Sequence, residues 1–224
     1  DVVRSRGLGD VYKRQRDTIE TQLNVLADFN PKIPENFKNP DVLVLGNLDP
    51  KVQLSIVSQF DKKPNFIMLD TMNFWMDHTM DNLIKIISKV DLICINDEEV
   101  IQLSDCPNHD LGIKKILAMG PKYIIMKKGE FGATLYSDES EFFCPSFKIE
   151  KVIDPTGAGD SFAGAFAGHL ANSKNYSFSS IADALVYANA VASFCVEKFG
   201  VENMLNISKE EINERINFIE KHNN

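Results

Sequence analysis

Four short apolar runs, each separated from the next by a stretch of helical period, constrain this chain more than any other feature. They are Val42-Leu43-Val44-Leu45, Phe66-Ile67-Met68-Leu69, Leu92-Ile93-Cys94-Ile95 and Tyr123-Ile124-Ile125-Met126. A continuous apolar run of this length is a strand with no polar face, and such strands belong to a parallel sheet covered on both sides. The intervening segments read as helices over 51–60, 79–89, 97–103 and 111–119, the last ended by Gly120-Pro121. Strand–helix alternation of this kind predicts right-handed crossovers and an α/β fold: a doubly wound, mostly parallel sheet with helices on both faces. A hairpin is expected over 133–136 and 141–143. Three helices follow, over 160–171, 178–199 and 209–222, with Gly200 closing the second of them. In such sheets ligands bind beyond the carboxyl ends of the strands. The polar residues ending these strands, Asn47, Asp70, Asn96, Asp97 and Lys127, therefore mark one candidate rim.

The segment Asp154-Pro155-Thr156-Gly157-Ala158-Gly159-Asp160 runs straight into a small-residue helix beginning Ser161-Phe162-Ala163-Gly164. The first N–H groups of a helix lack intrahelical partners and lie at its positive end, so they suit an oxyanion such as phosphate. Nothing bulky at 157–159 covers them. Asp160 puts a carboxylate beside that anion hole. This makes chemical sense if the carboxylate takes a proton from a hydroxyl about to attack a phosphoryl group. The plainer reading is a glycine turn with Asp160 as helix cap.

Net charge is −8 and the pI near 5.1, which argues against a nucleic-acid footprint. The same charge opposes anionic nucleotides, so local positive ends and a divalent cation would have to overcome it. Cys94, Cys106, Cys144 and Cys195 form no C-x-x-C pair, which suggests reduced, buried thiols and a cytoplasmic setting. No uninterrupted apolar run has membrane-spanning length. Residues 1–16 are basic and aperiodic and are set apart as a non-native or disordered tail, leaving 17–224 as a single α/β domain.

The 154–160 segment and the helix after it resemble the C-terminal signature of the ribokinase-like (PfkB-type) carbohydrate kinases. The resemblance implies that Asp160 is the catalytic base and that the amides of Gly157, Ala158 and Gly159 steady the transferred phosphoryl group. Asn96-Asp97-Glu98-Glu99 resembles the family's N-x-x-E motif, which implies that Asn96 and Glu99 organise magnesium and its waters. Read alone, the same four residues are a capped helix start. Lys127-Lys128-Gly129-Glu130-Phe131-Gly132 resembles the loop that lies against ATP, with Lys127, Gly129 and Gly132 as nucleotide contacts and Thr156 joining them. A hairpin-entry turn is the alternative. Asn189 stands where the family places a residue near the adenine, although a closely packed small-residue helix explains its neighbours equally. The implied cofactors are ATP and Mg2+. A monovalent cation is left unassigned because Met204 stands where a polar ligand is expected.

The resemblance runs over roughly residues 40–222, the C-terminal part of such a kinase. It implies a chain truncated at its N-terminus, without the lid, the Gly-Gly motif and most of the acceptor site. No Arg or Lys stands in Asp70-Thr71-Met72-Asn73-Phe74-Trp75-Met76, where relatives often place one. The expected function is ATP-dependent phosphoryl transfer to a hydroxyl of a sugar or related small molecule. The alternatives are an adenosine-like nucleoside kinase and a catalytically incompetent nucleotide-binding fragment. Partners are then a small-molecule acceptor and, for the full-length protein, a second copy. Neither nucleic acid nor membrane is expected.

Overall fold

A computed structural model describes residues 23–222, so the expectation for residues 1–16 lies outside the described residues. Six strands form one sheet in the order β1 (Val42–Leu45), β2 (Phe66–Asp70), β3 (Leu92–Asn96), β4 (Tyr123–Lys127), β5 (Ala133–Tyr136) and β6 (Glu141–Cys144). The first four are parallel, and β5 and β6 add an antiparallel hairpin beside β4. Helices α1 (Pro50–Val57), α2 (Asn73–His78), α3 (Met80–Ile87), α4 (Asp97–Ser104) and α5 (His109–Leu117) connect the parallel strands. Helices α6 (Ala158–Ser173), α7 (Phe178–Cys195) and α8 (Lys209–Lys221) follow the hairpin.

The pleat divides each apolar run between two cores. Ile67, Leu69, Ile93, Ile95, Ile124 and Met126 pack against Leu83, Ile86, Val100, Leu103 and Ile116 of the crossover helices. Phe66, Met68, Leu92, Cys94 and Ile125 pack against Phe162, Phe166, Leu170, Ile181 and Leu185 of the C-terminal helices. Alternate side chains thus point to opposite faces, and both faces are covered, which is why no polar residue interrupts the runs. Each fully buried Ile or Leu contributes about 1.5–3 kcal/mol from area alone. The doubly covered, mostly parallel sheet agrees with the sequence. The crossovers all lie on one face, and α6 to α8 close the other.

At the amino end of the strands, Asp91 ties the layers together. Its Oδ2 accepts from the Ile67 N–H at 3.0 Å and its Oδ1 from Lys63 Nζ at 3.1 Å. This leaves the carboxyl ends of the strands free for chemistry. Among the described residues β1 pairs on one side only, and its Val44 is exposed.

Two elements differ from the sequence expectation. The segment Asn73–His78 is a short helix, α2, where none was expected, and its Trp75 is buried and donates from Nε1 to Asn47 Oδ1 at 2.8 Å. Helix α7 stops at Cys195 rather than at 199, and Gly200 (φ +57°) lies beyond its end rather than capping it. The cause is tertiary. The carbonyl of Val196, which in a continued helix would accept from the Gly200 N–H, accepts instead from Ile153 at 2.8 Å and Asp154 at 3.3 Å. By length and composition α7 is apolar enough to cross a membrane, but Ile181, Leu185, Ala188 and Phe194 are buried in the fold. All four cysteines are buried and unpaired.

Candidate active site

The turn before α6 is built on the end of α7. Besides the two bonds to Val196, Cys195 Sγ lies 3.5 Å from the Thr156 carbonyl and 3.9 Å from that of Gly200. Asp154 Oδ1 accepts from the Thr156 N–H at 3.0 Å, closing a local turn. Gly157 then takes φ +82° as the N-cap of α6, a left-handed conformation that a residue with a Cβ adopts only under strain. The Ala158 N–H bonds the Pro155 carbonyl at 3.3 Å, so its amide, one of the three expected in the anion hole, is engaged in the turn. The N–H groups of Gly157, Gly159 and Asp160 meet no backbone acceptor among the described residues. Two of the three expected amides, those of Gly157 and Gly159, are therefore open, and that of Asp160 lies open beside them. Asp160 is exposed in the first turn of α6, clear of the core. Thr156 is exposed beside it.

A second group of residues gathers at the carboxyl ends of β2, β3 and β4. Asn96 is the N-cap of α4: its Oδ1 accepts from the Glu99 N–H at 2.7 Å, and Glu99 Oε2 accepts from the Asn96 N–H at 2.8 Å. The reciprocal pair is a capping box, which settles why these residues occur at this spacing whatever else they do. Glu99 is 6% exposed, and burial raises its pKa. The Asn96 N–H and the neighbouring Lys127 oppose that rise. Lys127 reaches across β3 to Asp70, Nζ to Oδ1 3.3 Å. Cys94, and then the Asp70 and Glu99 carboxylates, raise the Lys127 pKa. Cys94 itself is pushed up to about 12 by burial. The ammonium of Lys127 thus supplies a positive charge at a rim where the sequence has no Arg or Lys directly after β2, and Asp70, noted in the sequence only as a strand end, holds it.

No group of three His, Cys, Asp or Glu side chains among the described residues could hold a metal directly. One oxygen each of Asn96 and Glu99 is already engaged in the cap. Asn96 has no second side-chain oxygen, so Glu99 Oε1 is the carboxylate oxygen left over from the cap, and it suits magnesium held through water. Glu99→Gln keeps an acceptor for the Asn96 N–H but removes a buried charge. The folded-state pKa of Glu99 lies above its unfolded value, so its contribution to stability is present at low pH and is lost as pH rises through the folded pKa. The variant should therefore be more stable at neutral pH, by up to about 1 kcal/mol, and its acid-side stability profile should be flatter. Urea unfolding at pH 4 and pH 7 measures both, and lower stability at pH 7 would contradict the assignment.

The loop Lys127–Gly132 forms the third group. Gly129 (φ +55°) faces open space, and Gly132 (φ +103°) is pressed against the chain leaving β6. A Cβ at 132 would collide with the Cys144 carbonyl and lie 2.8 Å from the Ser146 nitrogen. Ser146 Oγ donates to the Glu130 carbonyl, and the Lys128 N–H to the Gly132 carbonyl at 2.8 Å. Asn189 on α7 grips the same segment, its Nδ2 lying 3.0 Å from the Pro145 carbonyl and 3.3 Å from Cys144 Sγ. The groups are joined through shared elements: Lys127 begins the loop, and α7 carries both Asn189 and the supports of the 154–160 turn. No described hydrogen bond or ion pair links Asp160 to Asn96 or Glu99. Sequence reasoning missed Asp70 as the partner of Lys127 and Cys195 beneath the turn. A strand-ending Asp was the only signal for the first, and nothing local signalled the second.

Comparison with known proteins converges on one family. The model of the pfkB family carbohydrate kinases matches residues 10–208 and so begins inside the segment set apart as a tail. The ribokinase of Lactococcus lactis is 33% identical over 178 residues, 80% of this chain and 55% of its own. The structure of Methanocaldococcus jannaschii nucleoside kinase superposes with a TM-score of 0.68 at 24% identity, covering 87% of this chain and 60% of that one. Arabidopsis thaliana ribokinase complexed with ribose and ATP gives 0.65 at 20% identity, covering 80% and 56%. The chain spans about half the length of the curated relatives it matches. With a family match over most of its length and the fold of these kinases, the chain belongs to the pfkB family of carbohydrate kinases.

Proposed function

We propose that this chain carries the nucleotide-binding and phosphoryl-transfer half of an ATP-dependent kinase acting on a hydroxyl of a sugar or nucleoside. The observation that supports this most is the start of α6, where three amides without backbone acceptors, those of Gly157, Gly159 and Asp160, lie beside an exposed carboxylate on a turn pinned to α7. The acceptor oxygen attacks the γ-phosphorus, and the bond from that phosphorus to the β,γ-bridging oxygen breaks. ADP leaves with the bonding pair, and Asp160 takes the acceptor's proton. The N–H groups of Gly157, Gly159 and Asp160 hold the equatorial oxygens as charge redistributes. Lys127 faces the phosphates with its charge kept by Asp70, and Gly129 and Gly132 let the loop backbone lie along the nucleotide, with Thr156 and Asn189 bordering it. Magnesium, when bound with ATP, neutralises the phosphate charge, and Asn96 and Glu99 order its waters. Catalysis here is positioning and electrostatics, with no covalent enzyme intermediate.

A second reading, a nucleotide-binding module without turnover, is favoured by one observation: the chain spans about half of its relatives' length. Titration calorimetry with ATP and magnesium, paired with a phosphorylation assay over ribose, fructose, cytidine and adenosine, separates the two. Binding with transfer to one acceptor is expected for the kinase. Binding without transfer to any of them supports the module, and no binding refutes both.

A further inference from the structure

We infer that Arg215, on α8, is a positioning residue for the proposed transfer site: it holds the end of α7 so that the Val196 carbonyl stays where the 154–160 turn is built on it. The inference rests on the reading proposed above and adds to it a helix that begins at Lys209, just beyond the residues matched by the family model. The Arg215 side chain is 12% exposed, a depth at which a charge needs partners. Its Nη1 donates to Ser193 Oγ at 2.6 Å and its Nη2 to Glu197 Oε2 at 2.6 Å. Ser193 lies in the last turn of α7 and Glu197 just past it, so the two arms of the planar guanidinium bridge the helix end as a point-charged ammonium cannot. The same group lies over two rings, 3.4 Å from the centre of Phe194 and 4.4 Å from that of Phe147.

What Arg215 fixes is the frame around one carbonyl. Val196 stands between Phe194 and Glu197, and its oxygen accepts from Ile153 and Asp154, where the chain enters the turn. Asn203 closes the frame: its Nδ2 donates to the Phe194 carbonyl at 2.9 Å and to Glu197 Oε2 at 3.2 Å. The residues on both sides of Val196 are therefore tied down, Phe194 through its ring and carbonyl and Glu197 through its carboxylate. A cation at this place also meets the negative end of the α7 dipole. The second ring extends the brace to the loop 127–132. Phe147 packs edge-on against Phe218 of α8, ring centres 5.0 Å apart, and follows Ser146, whose hydroxyl donates to the Glu130 carbonyl. One guanidinium thus braces the supports of the turn and of the loop. These two parts must keep their relative positions for a phosphoryl group to pass from nucleotide to acceptor.

Amide hydrogen exchange at Ile153 and Asp154 reads the seating of the turn, and exchange at Ile124 and Ile125 in β4 reads the fold as a whole. Arg215→Met fills the space between the rings without the two bonds. In it, exchange at 153 and 154 should rise at least about tenfold more than exchange in β4. Calorimetric affinity for MgATP should fall by about three- to tenfold. Arg215→Lys keeps the charge but not the fork, so both effects should be intermediate. Glu197→Gln should reproduce most of the change, and the double variant should lose less than the product of the two single losses. Ile219→Val loosens α8 in the core with the guanidinium in place, so exchange should rise together at all four amides while MgATP affinity holds. If Arg215→Met does not fold, Arg215→Lys and Glu197→Gln carry the test. Exchange at 153 and 154 that merely follows β4, or unchanged MgATP affinity in variants that loosen the turn, overturns the inference and leaves the nucleotide site standing. No binding of MgATP by the intact chain overturns the site and the inference together.

Discussion

Asp160→Asn, made in the longest form of the protein that phosphorylates an acceptor, should lower kcat by about two to four orders of magnitude. Its affinity for magnesium and ATP should hold or rise slightly. The substitution keeps the size of the side chain and its place in the first turn of α6. It removes the carboxylate proposed to take the acceptor's proton. It also removes a negative charge that repels the phosphates, and this is why nucleotide binding should not suffer. Asp160 is exposed and its side chain caps nothing among the described residues, so thermal stability should stay within about 0.5 kcal/mol of the parent. Steady-state rates set beside calorimetric affinities distinguish these effects. Substantial turnover by the variant would remove Asp160 from the mechanism.

Gly132→Ala should be the most damaging single methyl group in the loop 127–132. The residue is buried at φ +103°, and its missing Cβ points at the chain leaving β6, 2.8 Å from the Ser146 nitrogen and 2.9 Å from the Pro145 carbonyl carbon. These are backbone atoms held from the far side by Asn189, so they cannot yield as a flexible side chain would. Backbone strain and overpacking together should cost about 2–4 kcal/mol. Gly129→Ala provides the comparison. It shares a positive φ of +55° but faces open space, so only the conformational cost of about 1 kcal/mol applies. Urea midpoints of the two variants measure the difference. Equal losses would mean that the contact with 144–146 does not constrain the loop.

The strands were legible because each apolar run satisfies two cores at once, a requirement that excludes polar residues and leaves an unmistakable pattern. The capping box at Asn96 and Glu99 was legible for a different reason: its partners lie three residues apart, and local geometry dictates the residue types. The short helix Asn73–His78 was not. Its Trp75 is fixed by Asn47, and Gln102 reaches both Asn73 and Asp77, partners 25–29 residues away in sequence. Lys127 was visible as a strand-ending charge, but its pairing with Asp70 spans 57 residues and two strands, a relation that periodicity does not carry.

By itself the sequence determined the parallel sheet, its two cores, the carboxyl-end rim and the glycine turn entering α6. Each of these follows from interactions among near neighbours or from uniform burial. Only the tertiary structure decided where α7 ends, which amides at the start of α6 remain open, and which segment Asn189 grips. In all three cases a backbone carbonyl is claimed: that of Val196 by residues 153–154, that of Pro155 by Ala158, and that of Pro145 by Asn189. A carbonyl has no side-chain identity, so its availability leaves little trace in the sequence and is settled only when the packed elements meet.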